Sequence, residues 1–295
     1  MRYPIMNKIL YICLLSLFAC GGQPDHRDNN MPPVKNGNVT ISYLSAGNGD
    51  TAVVLVHGWC INKEYWKTQQ DLLSNRYRVV ALDLGGHGHS GNNRSDWSVE
   101  EYARDVIALI DTLQLKKVIL VGHSMGGDIV LQVTHEIPEK IIGLIGIDNF
   151  KDIALSYTAE DEKSIDEFSR SLKANYRTAA AAFTRKFLFP PNYADTASVN
   201  RVVRDVQNMD SVVSIQTMDS LPKFGLKEAS LLSQLKIPLR LIVSDYTPMN
   251  EAAVKKYCPR GLFVRTIHGT GHYPMIEKPG QFNQLLEETI QGITP

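Results

Sequence analysis

Charge of either sign is not in excess: 31 Lys and Arg stand against 31 Asp and Glu in 295 residues. That balance leaves no electrostatic footprint for nucleic acid or for an anionic surface. Cysteine is scarce, with four in the chain, which excludes a disulfide-stapled scaffold. No CxxC pair, His-rich tract or acidic metal loop occurs, so neither a metal nor a cofactor is expected. The N-terminal apolar run Ile9–Phe18 is too short for a comfortable membrane span. What remains is an ordinary globular composition, 43% hydrophobic and 21% charged, which argues against disorder. The length fits two average domains or one large α/β domain.

The N-terminus reads as a sorting signal. Arg2 and Lys8 precede the apolar run, which closes on Leu17-Phe18-Ala19-Cys20. A basic start, an apolar core of that length and a small residue before the cut mark a secretory signal. Leu-x-Ala-Cys followed by Gly21-Gly22 resembles the lipobox of bacterial lipoproteins. The resemblance implies lipidation at Cys20 and residence in the bacterial cell envelope, at the outer membrane or the periplasmic face. The alternative is a plain cleaved signal with an incidental cysteine. Loss of residues 1–19 leaves 29 basic against 31 acidic side chains, a net charge of −2. Residues 21–38 hold Gly, Pro, Asn and charge without apolar periodicity and read as a flexible tether. Membrane contact is therefore expected through the lipid alone, with a monomeric chain and a small-molecule substrate as its partner.

From residue 39 short strands alternate with helices. Val39–Leu44 and Thr51–Val56 are β-branched-rich, with the turn residues Gly47-Asn48-Gly49-Asp50 between them. Tyr77–Leu82, Lys117–Val121, Ile141–Ile147 and Leu239–Val243 are continuous apolar runs, as parallel strands covered on both faces require. Ser98-Val99-Glu100-Glu101 predicts a capping box opening a helix, and Gly126–Glu136 and Gln281–Gln291 fit helices too. This alternation predicts an α/β fold with a mostly parallel, doubly wound sheet. Residues 150–230 break the rhythm and read as a helical cap inserted into a core of 39–149 and 231–295. Phe183, Phe187, Phe189 and Tyr193 in the cap are apolar pocket candidates, with packing as the default reading at their spacing.

Strand Lys117–Val121 runs into Gly122-His123-Ser124-Met125-Gly126-Gly127 and then a helix. Gly-x-Ser-x-Gly between a strand and a helix is the nucleophile elbow. It needs glycines two residues to either side of Ser124, where a Cβ would strike a neighbouring strand or helix. The N–H of Met125 and the helix dipole then face a developing oxyanion. A second N–H is expected from Trp59, in the His57-Gly58-Trp59 loop that follows Thr51–Val56. His57 is expected to fix that loop. His272, on the loop Gly269-Thr270-Gly271-His272-Tyr273-Pro274, is the expected general base; the other seven histidines have weaker contexts.

These motifs, with Asp83-Leu84-Gly85-Gly86-His87-Gly88-His89-Ser90, occur in the order that identifies the chain as similar to the α/β-hydrolase superfamily. The resemblance covers about residues 39–291, interrupted by the cap. It implies a serine nucleophile at Ser124, with the Asp83–Ser90 turn as a structural signature. The acid departs from the commonest pattern, because its usual place after the post-cap strand falls on Thr247. Asp245 lies two residues earlier; Asp148, at the end of Ile141–Ile147, is the rival and the preferred candidate. Asp128 reads as structural, and Cys60 and Cys258 as free buried thiols. The resemblance implies acyl transfer from a carboxylic ester or lactone to water. It leaves open a C–C bond hydrolase or lyase, or a ligand-binding member without catalysis.

Overall fold

A computed structural model describes residues 32–151, 153 and 158–294. The signal, Cys20 and most of the tether therefore lie outside the described residues. The chain runs through β1 (Val34–Asn36), β2 (Val39–Ile41), β3 (Tyr43–Ala46), β4 (Ala52–Val56), α1 (Lys67–Leu73), β5 (Arg78–Leu82) and α2 (Val99–Thr112). It continues through β6 (Val118–His123), α3 (Met125–Glu136), β7 (Ile141–Ile147), α4 (Ala159–Ala174), α5 (Tyr176–Phe187), α6 (Thr196–Asn208) and α7 (Ser211–Ser233). It ends with β8 (Leu239–Ser244), α8 (Glu251–Lys255), β9 (Leu262–Ile267), α9 (Pro274–Glu277) and α10 (Pro279–Gln291).

Seven strands form one sheet in the order β3-β5-β4-β6-β7-β8-β9. All neighbours are parallel except β3, which runs antiparallel to β5. Every residue of β4 and β6 is buried, which is why their sequences are continuous apolar runs without alternation. The cap is the helical stretch α4–α7, running three residues past its expected end at 230. It is tied to the core by polar bonds: Tyr102 Oη to Thr217 Oγ1 at 2.7 Å, Trp59 Nε1 to Ser214 O at 3.0 Å and Tyr65 Oη to Asp205 Oδ2 at 2.7 Å.

Three expectations need correction. Val34–Asn36, read as tether, is a strand paired with β2 across a two-residue Gly37-Asn38 turn. Val34, Val39 and Ile41 bury completely or nearly so, and Asn36 Nδ2 donates to Asp105 Oδ1 at 2.8 Å. Val39–Leu44 is two strands. Ser42 hands the chain from hairpin to sheet, its N–H donating to Ser90 Oγ and its carbonyl accepting from the Asp83 N–H, each at 2.8 Å. At the start of α2 the Ser98 hydroxyl accepts from the Glu101 N–H at 3.4 Å, as a capping box requires. The reciprocal bond goes elsewhere: Asp96 Oδ1 accepts the Ser98 N–H at 2.9 Å, and the Glu101 carboxylate pairs with Arg104.

Candidate active site

The elbow is built by the ends of adjacent strands. Ser124 leaves β6 with φ 52° and ψ −126°, a left-handed conformation that costs a non-glycine residue energy. Three bonds hold it there. Its N–H donates to Ile147 O at 2.9 Å, and its carbonyl accepts from Gly127 N and from Asn149 Nδ2, both at 2.7 Å. A Cβ on Gly122 would lie 2.1 Å from Gly126 O, and one on Gly126 would lie 2.5 Å from Val56 O. The helix α3 and the strand β4 thus close on the elbow only because both positions lack a side chain.

The His57-Gly58-Trp59 loop meets the elbow from β4, the neighbour of β6. A Cβ on Gly58 would stand 2.8 Å from His123 Nδ1 and 3.1 Å from Ser124 Cβ. Among the described residues neither the Trp59 nor the Met125 N–H has a protein acceptor. His57 fixes this loop: its Nε2 accepts from the Leu84 N–H at 3.0 Å, so its Nδ1 carries the proton and donates to Gly58 O at 2.8 Å. Burial lowers its pKa and keeps it neutral. Asp83 is structural, accepting from Lys63 N and His89 N and pairing with the Lys63 ammonium at 2.5 Å.

His272 follows β9, and its loop is held at three consecutive N–H groups. Gly271 donates to Glu277 Oε2 at 2.6 Å, His272 to Leu188 O of the cap at 2.9 Å, and Tyr273 to Glu277 Oε1 at 2.7 Å. Burial raises the Glu277 carboxyl, and the Tyr193 hydroxyl from the cap also bonds to it. His123, beside Ser124, places its ring centroid 4.8 Å from that of His272. Burial, then the nearby His272 charge, pushes His123 down to about 3. The neutral ring donates from Nε2 to His272 O at 2.6 Å.

The two candidate acids part company. Asp148, at the end of β7, accepts from His272 Nδ1 at 2.6 Å through Oδ2. Its Oδ1 accepts from Ser244 N at 2.9 Å and Ser244 Oγ at 2.6 Å, and pairs with Lys151 Nζ at 2.7 Å. Burial alone would raise this carboxyl; His272 and Lys151 outweigh it and hold it at about 2. Asp245 turns to the exposed ring of His268, at 2.8 Å from Nδ1, and to the Gly269 N–H. The structure thus brings Asp148 to His272 and leaves Asp245 in a separate surface pair. Asp128 is buried, accepting from Asn149 Nδ2 at 2.8 Å, with burial raising it to about 6 against a bond to Glu228.

The cap aromatics divide. Phe189 and Tyr193 stack on each other, and Phe189 packs on Tyr273, supporting the His272 loop. Phe183 stacks on Phe168 at 4.4 Å and meets the Trp59 ring edge-on at 6.0 Å. Tyr246 places its hydroxyl on Phe187 O and its ring 6.5 Å from His272. Cys60 and Cys258 are free and buried. Among the described residues no group of His, Cys, Asp and Glu could hold a metal ion. Lys151, Ser244, Asn149, Glu277 and Tyr246 were not candidates from sequence. Asn149, Ser244 and Tyr246 act through contacts far along the chain, whereas Glu277 holds N–H groups six and four residues back and Lys151 pairs with Asp148 three residues back.

This fold and elbow define a class: the chain belongs to the α/β-hydrolase fold family, whose model matches residues 51–279. Among characterised relatives it is 27% identical to the Karrikin insensitive 2 receptor IA of Petunia hybrida, over 82% of this chain and 90% of that protein. Among solved structures it superposes on a thermophilic esterase from Thermogutta terrifontis with a TM-score of 0.75, at 21% identity, covering 86% of this chain and 94% of the other. An N-acyl homoserine lactone degrading enzyme gives 0.74 at 22% identity, covering 87% and 99%. At such identities the structural likeness speaks to the fold. With the family match, it supports a hydrolase.

Proposed function

We propose that the protein is a serine hydrolase of small ester-type substrates, carboxylic esters or lactones, working through an acyl-enzyme on Ser124. The observation that carries this reading is the bond of Asp148 to His272 Nδ1, on a loop latched to the residue beside Ser124. With Nδ1 engaged, Nε2 is the nitrogen left to take the Ser124 proton. The serine oxygen attacks the carbonyl carbon, and the carbonyl π electrons move to its oxygen. The N–H groups of Trp59 and Met125 stabilise that oxyanion. Its collapse expels the alcohol, which takes the proton from His272. Water deprotonated by the same ring then releases the acid. The rings of Phe183 and Tyr246 suit an apolar acyl or alcohol group.

The likeness to a karrikin receptor favours one second reading, a ligand-binding protein with little or no turnover. The same elbow also suits a C–C bond hydrolase. A panel of p-nitrophenyl esters of rising chain length, lactones and a C–C substrate separates these readings. Ester or lactone hydrolysis that vanishes in Ser124→Ala supports the first. Saturable binding of a lactone without turnover supports the receptor reading. Export and lipid anchoring through Cys20 belong to the same proposal and are tested by metabolic labelling with a fatty acid, which Cys20→Ala should abolish.

A further inference from the structure

Asp148 serves two partners. One of its oxygens faces His272; the other faces Lys151, whose side chain is only 8% exposed. The ammonium is cradled by the end of β8 and the loop after it: Ser244 O at 2.9 Å, Ser244 Oγ at 3.2 Å and Thr247 Oγ1 at 2.8 Å. The Tyr246 ring covers it at 4.9 Å. A lysine is strongly hydrated and rarely buried without a task or a partner. This one sits three residues after the acid, where the chain leaves the sheet for the cap. The backbone between is forced, with Asp148 at φ 48° and Phe150 at φ 57°. Such strain persists only where the surroundings hold it, and it gathers at functional sites.

We propose that Lys151 is a positioning residue for the base and its acid: its buried ammonium locks the Asp148 carboxylate and limits how strongly that carboxylate backs His272. The inference rests on the serine-hydrolase reading and adds a residue to it. One consequence follows from charge. Asp148 and Lys151 together are neutral, so proton uptake by His272 leaves the buried trio with one net positive charge. Without Lys151 the same uptake leaves none. A cation fixed on Asp148 thus opposes a second one on the ring. The orienting effect is separate: Ser244 and Lys151 occupy Oδ1, so Oδ2 alone is left for the ring.

Other groups facing His272 are His123 on β6, Tyr246 after β8, Tyr273 beside it and the Glu277 carboxyl on α9. Burial keeps the two tyrosines protonated and His123 neutral. Lys151 is therefore the cation that acts on the pair through Asp148.

The test compares Lys151→Met, which removes the charge, with Lys151→Arg, which keeps it; Lys151→Gln replaces the first if that variant does not fold. The pH profile of kcat/KM is measured on the best substrate from the panel. The low-field proton resonance of His272 Nδ1–H, recorded in the Ser124→Ala background, needs no activity. Charge removal should lower kcat by about 10-fold with KM little changed. It should also move the acidic limb of the profile up by about one pH unit and the resonance downfield. Arginine should leave the limb where it is. A limb and resonance unmoved by Met or Gln in folded protein overturn the proposal, as does an equal movement with Arg. Failure of the wild type to turn over any substrate sinks the hydrolase reading instead, and the resonance still decides on Lys151.

Discussion

His123 Nε2 donates to the backbone oxygen of His272 at 2.6 Å, so the residue next to Ser124 holds the loop that carries His272. Burial keeps the His123 ring neutral, so the bond joins a neutral donor to a carbonyl. It fixes the spacing between two segments that leave different strands, β6 and β9. Displacements of about 1 Å at such a spacing cost about 100-fold in rate.

The latch predicts a split between two substitutions. His123→Gln keeps a donor at nearly the same reach and should retain kcat within about 3-fold, whereas His123→Ala should lose about 10- to 100-fold. KM should move little in either, since neither touches the substrate. Steady-state kinetics on one ester decide it; equal losses in both variants would show that ring packing, and not the hydrogen bond, is what matters.

Asp148 and Asp245 make a second contrast. Asp148→Asn should lower kcat by about 10⁴-fold, through the wrong imidazole tautomer, while Asp245→Asn should stay within a few-fold of wild type. Asp148→Asn also strands the buried Lys151 charge and should cost about 3 kcal/mol of stability. The pH dependence follows from sign. Asp148 has a folded pKa of about 2, below its unfolded value, so its stabilising contribution is full above about pH 4. It is lost as pH falls through 2. Denaturant melts of the wild type and Asp148→Asn should therefore converge towards pH 2.

Much of this arrangement is legible in the sequence, and the limits have physical causes. β4, β6 and β7 announce themselves because strands covered on both faces are apolar throughout. The elbow does so because its glycines answer steric contacts within a few residues. β1 was hidden: Val34-Lys35-Asn36 has one apolar residue, and its strand character comes from pairing with β2. The position of an acid along the chain says which strand end carries it, but not which way its side chain turns. Asp148 and Asp245 both stand at strand ends, and only the three-dimensional neighbours His272 and His268 distinguish them. Of the clamp on the His272 loop, Glu277 lies within six residues, but Leu188 reaches it from the cap and has no local signature.

Asp128 predicts an unusual pH response. Burial raises its folded pKa to about 6, so the protein binds more protons there than the unfolded chain does between pH 4 and 6. Stability from this group is present below about pH 4 and is lost as pH rises through 6. Asp128→Asn keeps an oxygen for Asn149 and removes the charge. Its Tm should exceed that of the wild type by about 2–4 °C at pH 7, with the gap closing at pH 4. Thermal melts at the two pH values check this, and a variant less stable at both would show that the carboxylate is compensated as it stands.

The proposed function stands on Ser124 as an activated nucleophile. Incubation of the folded protein with a fluorophosphonate probe, followed by peptide mass spectrometry, tests it most directly. One adduct is expected on Ser124, absent in Ser124→Ala and much slower to form in His272→Ala. No adduct on folded wild-type protein, or an adduct that persists in Ser124→Ala, would contradict it.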